Sequence, residues 1–126
     1  MYAHEHVIRF GPDNLVERRD FETHRGLADF VSTDDLARWL AAGDIFAVDS
    51  NGVVFWPIYA FTSPPLTPLP AMREILVALN LAPWDTAAWF CSGCSALSWR
   101  RPQDVLPTDP GAVLKAVLYE GASCEQ

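Results

Sequence analysis

The residues with the clearest chemical potential are the two cysteines of the stretch Cys91-Ser92-Gly93-Cys94. Thiols at this spacing either exchange a disulfide or supply two ligands to zinc. A redox role calls for a strand before the motif and a helix after it, whereas this motif follows a predicted helix. A zinc site needs two further ligands, and Cys124 with one histidine stands at no recognised spacing. We therefore expect two small, half-buried cysteines and no metal.

No other catalytic constellation stands out. His4 and His6 flank Glu5, and alternate residues of an extended segment face the same way, but a solvated N-terminal segment accounts for them. The sequence contains no Ser-His-Asp order, phosphate-cradling glycine loop or HExxH motif. Most of its acidic residues fall in predicted caps, turns and loops. We expect no enzymatic activity and no cofactor.

Length and charge limit the class of protein. A chain of 126 residues forms one domain, and its 50% apolar content is enough for a hydrophobic core. The formal net charge of −7 opposes the approach of nucleic acid and favours a basic partner. The sequence therefore predicts a small globular domain that binds a protein more readily than DNA.

The compartment follows from the N-terminus and the cysteine count. No apolar run approaches the roughly 20 residues of a membrane helix. The segment Met1–Phe10 carries charged residues and does not resemble a signal peptide. Three cysteines, an odd number, argue against a disulfide framework. We expect a cytoplasmic protein, with reduced cysteines and no membrane association.

The middle of the chain predicts a helix followed by a β-hairpin. The helix begins after a capping box at Ser32 and runs to about Ala42, and Gly43 ends it. A short helix over residues 27–31 is expected before it. Two β-rich runs, 45–48 and 53–56, flank an Asn-Gly turn signal. A helix, a corner and a hairpin together resemble the end of a winged helix.

The C-terminal half predicts a series of short helices after a proline-rich connector over residues 63–70. Their expected ranges are 71–81, 83–91, 102–106 and 110–121, with caps and initiating prolines at their starts. The expected fold class is mainly α, a compact bundle of short helices with one β-hairpin. We divide it into a possibly flexible arm (1–26), a winged-helix-like segment (27–62) and a helical region (63–126). For the N-terminal segment a strand and a loosely held terminus stay open as alternatives to an arm.

DNA binding is the main competing hypothesis. The predicted helix from Ser32 to Ala42 occupies the place of a recognition helix, which normally presents cations and amides from its first turns. It begins instead with Ser32-Thr33-Asp34-Asp35 and offers Arg38 as its one cation. Two carboxylates at that end repel phosphates, so Arg38 is a doubtful DNA contact.

Two stretches resemble the Xre/MbcA/ParS antitoxin family. The first joins 43–48, the Asn-Gly turn and the run Trp56-Pro57-Ile58-Tyr59-Ala60-Phe61, and a helix follows it. The second joins Ala88-Trp89-Phe90 to Ala96-Leu97, Arg100-Arg101-Pro102 and Val105-Leu106, like that family's toxin-binding domain. Trp99 stands where the family usually has glycine. The resemblance covers about residues 27–121.

The resemblance implies a function and a partner. Partners of the family are RES-domain toxins that consume NAD or use it to ADP-ribosylate a target. The antitoxin covers the entrance to the NAD pocket, often with its C-terminal segment, here residues 114–126. We therefore expect an antitoxin, dimeric or in a hetero-oligomer with its toxin. The candidate toxin contacts are Arg100, Arg101, Lys115, Tyr119, Glu120 and Glu125.

Alternatives remain open at several of these positions. One of Arg100 and Arg101 is expected to touch the toxin, while the other caps a helix end or lies in solvent. Tyr119 and Glu120 either contact the toxin or belong to a core helix and a frayed end. The alternative function is a DNA-binding autorepressor of the same lineage.

Overall fold

The structure, a computed structural model, describes residues 8–62 and 66–120, and of Tyr119 and Glu120 it describes the backbone alone. Within these residues six α-helices accompany two small antiparallel sheets. The short helices and the predicted hairpin are confirmed, but the additional strands make the class mixed α/β and not mainly α. Two-residue and three-residue strands carry too little periodicity to be recognised in a sequence.

The larger sheet confirms the predicted hairpin and adds a strand to it. Its strands are β3 (Phe21–Thr23), β4 (Val48–Ser50) and β5 (Val53–Pro57), in the order β3-β5-β4. Asn51 and Gly52 form the turn at φ 54° and 84°, the left-handed conformation that two-residue hairpin loops require. The Asp49 carboxylate accepts a hydrogen bond from the Gly52 amide at 3.0 Å and fixes this turn.

The N-terminal segment, for which a strand, an arm and a loosely held terminus were all open, forms strands from residue 9 onwards. Strands β1 (Arg9–Phe10) and β2 (Val16–Glu17) pair with each other, and β3 joins the larger sheet. Val16 and Phe21 are almost fully buried. Strands β2 and β3 each bury one residue, Phe10 of β1 is partly buried, and a charged residue stands beside each of the three, so the sequence reads as polar. Residues 1–7 lie outside the described part of the chain.

Capping residues define the first two helices. In α1 (His24–Leu27) the Thr23 hydroxyl accepts a hydrogen bond from the Gly26 amide at 3.3 Å, so this helix begins before the predicted range of 27–31. In α2 (Thr33–Ala42) the Ser32 hydroxyl accepts from the Asp35 amide at 3.0 Å. Gly43 ends α2 at φ 82°, as predicted.

The four C-terminal helices lie within their predicted ranges. They are α3 (Met72–Leu79), α4 (Pro83–Phe90), α5 (Pro102–Val105) and α6 (Pro110–Glu120). Prolines supply the first residue of three of them, where no amide donor is needed. The Asp109 carboxylate accepts from the Ala112 amide at 3.1 Å and caps α6. Helices α3 and α6 pack against each other.

An aromatic cluster connects the sheet to the helices. The rings of Phe46 and Phe90 stack with centroids 5.9 Å apart, and Tyr59 contacts both. Phe10 meets the rings of Phe21, Phe55 and Trp84 edge to face. Of the helices described, none combines the length and the apolar character needed to cross a membrane.

Candidate protein-binding surface

Helix α6 has a buried face and an exposed apolar edge. Val113, Ala116 and Val117 are at most 2% exposed and pack into the core. Leu118, the next residue, is 69% exposed. On the facing helix α3, Val77 is 72% exposed although Met72, Ile75 and Leu79 are buried. Both helices therefore present large apolar side chains to solvent at their junction.

These side chains line a groove, which we call the α3–α6 groove. Its centre is a cavity of about 450 Å³ lined by Val77, Ala78, Leu114 and Leu118, with Arg73 and Glu74 at its edge. A second cavity of about 360 Å³ shares Leu114 and Leu118 and is bordered by Lys115. A third, of about 260 Å³, shares Val77 and reaches towards α4. The first two cavities share two leucines and make up the groove, and the third meets it at Val77.

Charged side chains surround the groove, and one of them has a structural role. The Arg73 guanidinium lies 2.8 Å from the Asp44 carboxylate and donates to the Ala42 carbonyl at 2.8 Å, which fixes α3 to the end of α2. Glu74 and Lys115 lie beside the apolar residues, one on each helix. An apolar centre with a charged rim is typical of protein interfaces.

The loop that follows α4 holds an exposed tryptophan in a strained conformation. Ser98 and Trp99 have φ of 60° and 65°, and Trp99 is 59% exposed. The Cys94 carbonyl accepts from the Trp99 amide at 2.9 Å, and the Trp99 carbonyl lies 2.8 Å from where a Cβ on Gly93 would stand. The loop is therefore braced, and it packs through Ser95–Leu97 against α6.

Among the candidate toxin contacts, Lys115 lies at the α3–α6 groove and the two arginines lie elsewhere. The Arg101 guanidinium binds both oxygens of Asp104, at 2.7 and 3.0 Å, and lies 3.9 Å from Glu17. The hydrogen bond to Asp104 raises the pKa of Arg101 further. Arg100 is exposed, and its Nε donates to the Leu97 carbonyl at 2.9 Å. Both arginines thus have partners within the chain.

The remaining contacts predicted on the C-terminal segment are placed only in part. Tyr119 and Glu120 lie in the last turn of α6, and Glu125 lies outside the described residues. The expectation for these three residues stays a prediction. Val77 was not predicted at this surface, and Leu118 was predicted only as part of the segment 114–126 and not as a named contact. The signal for Val77 was available, because it is an apolar residue outside the i, i+3, i+4 stripe of its helix.

The Cys-x-x-Cys stretch does not form a dithiol pair. Cys94 is buried and disulfide-bonded, whereas Cys91 is a free thiol. The expectation of reduced cysteines is therefore wrong for Cys94, since an odd count rules out complete pairing but permits one bridge. Burial raises the pKa of Cys91, and its Sγ contacts the Ala88 carbonyl at 3.3 Å. Cys91 is accordingly a poor nucleophile, and Cys124 lies outside the described part of the chain.

The geometry offers little support for a metal site or for a DNA contact at Arg38. No group of three or more His, Cys, Asp or Glu side chains suited to a metal occurs within residues 8–62 and 66–120. On α2 the Arg38 guanidinium lies 2.8 Å from the Asp35 carboxylate, so the one cation of that helix is neutralised by its neighbour.

The chain was compared with families and with known proteins. It matches no family model, no curated protein and no solved structure.

Proposed function

We propose that this chain is an antitoxin that binds and inhibits a RES-domain toxin through the α3–α6 groove. The observation that carries the proposal is the exposure of Val77 (72%) and Leu118 (69%) on adjoining helices. Contiguous apolar surface on a small domain indicates an interaction site. The toxin class comes from the two stretches that resemble the antitoxin family.

The groove offers enough apolar surface for a specific contact. Covering one exposed Leu or Val side chain contributes about 1.5–3 kcal/mol, so two such anchors with Leu114 supply a substantial part of a protein–protein affinity. The surrounding Glu74 and Lys115 exclude poorly matched partners more than they add affinity. The groove therefore provides the binding energy, and its rim provides the selectivity.

Inhibition follows from where α6 ends. The helix carries Leu114, Lys115 and Leu118 along one exposed edge and ends at Glu120. When this edge docks beside the NAD pocket of the toxin, the last turn and the residues after it cover the entrance. The net charge of −7 favours a pocket that is basic because it receives phosphates. Tyr119, Glu120 and Glu125 are the side chains proposed to enter it.

Co-expression with the adjacent gene, with a tag on the neighbour only, tests this proposal. NAD consumption by the neighbour is then measured alone and in complex. We expect co-purification and suppressed activity, and we expect Val77→Glu/Leu118→Glu to restore NAD consumption. The matched control is Val53→Glu, which places the same charge at an exposed valine of β5.

Two results would contradict the proposal. If the neighbouring protein neither binds this chain nor consumes NAD, the proposal that the partner is a RES-domain toxin is wrong. If the Val53→Glu control loses inhibition to the same extent, the α3–α6 groove is not the binding site. The triple variant Tyr119→Ala/Glu120→Ala/Glu125→Ala separates docking from covering, because it keeps the groove and all three cysteines but removes the side chains proposed to enter the pocket.

A DNA-binding autorepressor is the second candidate. The observation in its favour is that α2 stands before the β4–β5 hairpin, with β3 completing a three-stranded sheet, as in a winged helix. Its weakness is the acidic first turn of α2 and the Asp35–Arg38 ion pair. A mobility shift with the upstream DNA, repeated at rising salt, decides it, because phosphate contacts lose affinity steeply with salt.

A further inference from the structure

A second depression, separate in its lining residues from the α3–α6 groove, lies where three short elements meet. It is a cleft of about 240 Å³ between the 3₁₀ turn Arg18–Asp20, the 3₁₀ turn Ile58–Ala60 and α5. The lining side chains are Arg19, Asp20, Ile58, Tyr59, Gln103 and Asp104. Its volume suits the end of one side chain rather than a nucleotide.

The charges of the cleft leave one carboxylate without a cation. Asp104 is held by Arg101, and Arg19 lies 2.8 Å from Glu17. Asp20 accepts a hydrogen bond from the Gln103 amide nitrogen at 2.9 Å, and Gln103 is itself 6% exposed. No ion pair to Asp20 occurs in the described residues. Arg101 lies close enough for Asp20 to raise its pKa, but Arg19 and Arg101 are surrounded by three carboxylates, those of Glu17, Asp20 and Asp104. The cleft therefore keeps about one net negative charge.

A buried hydroxyl in the same wall has no partner. The Tyr59 hydroxyl oxygen is inaccessible to solvent and makes no hydrogen bond within the part of the chain that is described. Burial, with the nearby Cys91 and Asp20, raises the pKa of Tyr59 well above its usual range, so the hydroxyl keeps its proton. A buried hydroxyl without a hydrogen-bond partner destabilises the fold, and an incoming donor relieves that penalty.

We propose that this cleft binds a guanidinium group, supplied by an arginine side chain of the partner protein. Asp20 neutralises the charge, and the Tyr59 hydroxyl accepts a further N–H once the entering guanidinium displaces the side chains that cover it. A guanidinium suits these two acceptors because its donors spread across a plane, whereas an ammonium concentrates its charge at one point. Arg19 opposes the cation, but its side chain is engaged by Glu17 at the edge of the cleft.

The source of the arginine rests on the proposed function, whereas the chemistry of the cleft does not. A free guanidine compound offers the same group as a partner's arginine. The test accordingly has one arm without any partner and one arm with the toxin.

The first arm uses methylguanidinium as the probe and NMR of the full chain as the readout. We expect saturable shifts of the Gln103 side-chain amide and the Ile58 methyl groups, with affinity on the order of millimolar. Asp20→Asn should abolish them, since it removes the charge but keeps an acceptor for Gln103. Asp35→Asn is the matched control and should leave them unchanged. Methylammonium should bind more weakly.

Absence of saturable shifts in the natural chain overturns the proposal, and so does equal binding by Asp20→Asn. Tyr59→Phe adds a second check, because it keeps the ring and removes the acceptor. We expect it to weaken methylguanidinium binding several-fold. If Tyr59→Phe binds methylguanidinium as well as the natural chain does, the Tyr59 hydroxyl does not contact the ligand.

The second arm measures the toxin complex. We expect Asp20→Asn to weaken it by about tenfold, the size of one charge-assisted hydrogen bond, with Asp35→Asn unaffected. If Asp20→Asn leaves the affinity for the toxin unchanged while the natural chain binds methylguanidinium, the cleft binds a guanidinium group but the partner protein does not supply it. If no variant and no natural chain binds the toxin, the proposed function fails, and the cleft is judged on the first arm alone.

Discussion

Helices α2 and α6 have ten and eleven residues and each buries one face, but they differ in what the other face presents. The outer face of α2 carries Asp34 and the Asp35–Arg38 ion pair, with one apolar side chain, Leu40, 42% exposed on the same helix. That of α6 carries Leu118 and Lys115 beside the exposed Val77 of α3. Water solvates a face whose charges pair with one another, whereas it solvates large exposed apolar side chains unfavourably. This difference is the reason that we propose partner binding at α6 and not at α2.

The largest expected effect separates the two faces of α6. Val117→Asp should destabilise the domain by about 3–5 kcal/mol, because it buries an unpaired carboxylate and leaves a cavity. Leu118→Asp, one residue later, should change the free energy of unfolding by less than about 0.5 kcal/mol. Urea denaturation of both variants measures the difference. Similar destabilisation by the two substitutions would mean that Leu118 is a core residue.

A smaller effect is expected on affinity for the toxin. Leu118→Ala should weaken the complex by about tenfold or more, since most of a Leu side chain no longer becomes buried. Leu40→Ala is the matched control, because Leu40 is 42% exposed on α2. Calorimetry with the purified toxin measures both. An equal loss in the Leu40 variant would place α2 in the interface and end the distinction between the helices.

A third prediction concerns backbone strain at Trp99, an exposed residue of the C-terminal half. The hairpin and the end of α2 place Gly43, Asn51 and Gly52 at positive φ, which these residue types tolerate, whereas the loop after α4 places Trp99 there. The free energy of unfolding of Trp99→Gly should therefore exceed that of Trp99→Ala by about 1 kcal/mol, because a Cβ atom is strained in this left-handed conformation. Thermal unfolding of the two variants checks it. If Trp99→Ala is as stable as Trp99→Gly, the loop is not strained.

Local signals predicted much of the fold, and short or non-local contacts account for the rest. Ser32 with Gly43 and the Asn-Gly turn determine their elements through bonds within a few residues, so α2 and the hairpin were predictable. Strand β3 pairs with β5 across more than thirty residues and contains three, which leaves no periodicity to detect.

The candidate surface was less predictable for the same reason. Lys115 was expected at the interface, but Val77 faces α6 only because α3 and α6 pack together. Tyr59 carries no local sign that its hydroxyl is left without a partner, and the link from Gln103 to Asp20 spans 83 residues. Side chains that meet across the fold, in the groove and in the cleft, need tertiary structure to be recognised.

The smallest expected effect compares one cation on each helix. Lys115→Ala should weaken the toxin complex by about two- to fivefold, mainly by slowing association, because rim charges steer encounter more than they hold the complex. Arg38→Ala should leave the complex unchanged and lower stability by about 0.3–0.5 kcal/mol, the value of an exposed helical ion pair. Association rates at two salt concentrations measure the contrast. A larger loss from Arg38→Ala, steeper at low salt, would transfer the charged contact to α2 and favour the regulator that binds DNA through it.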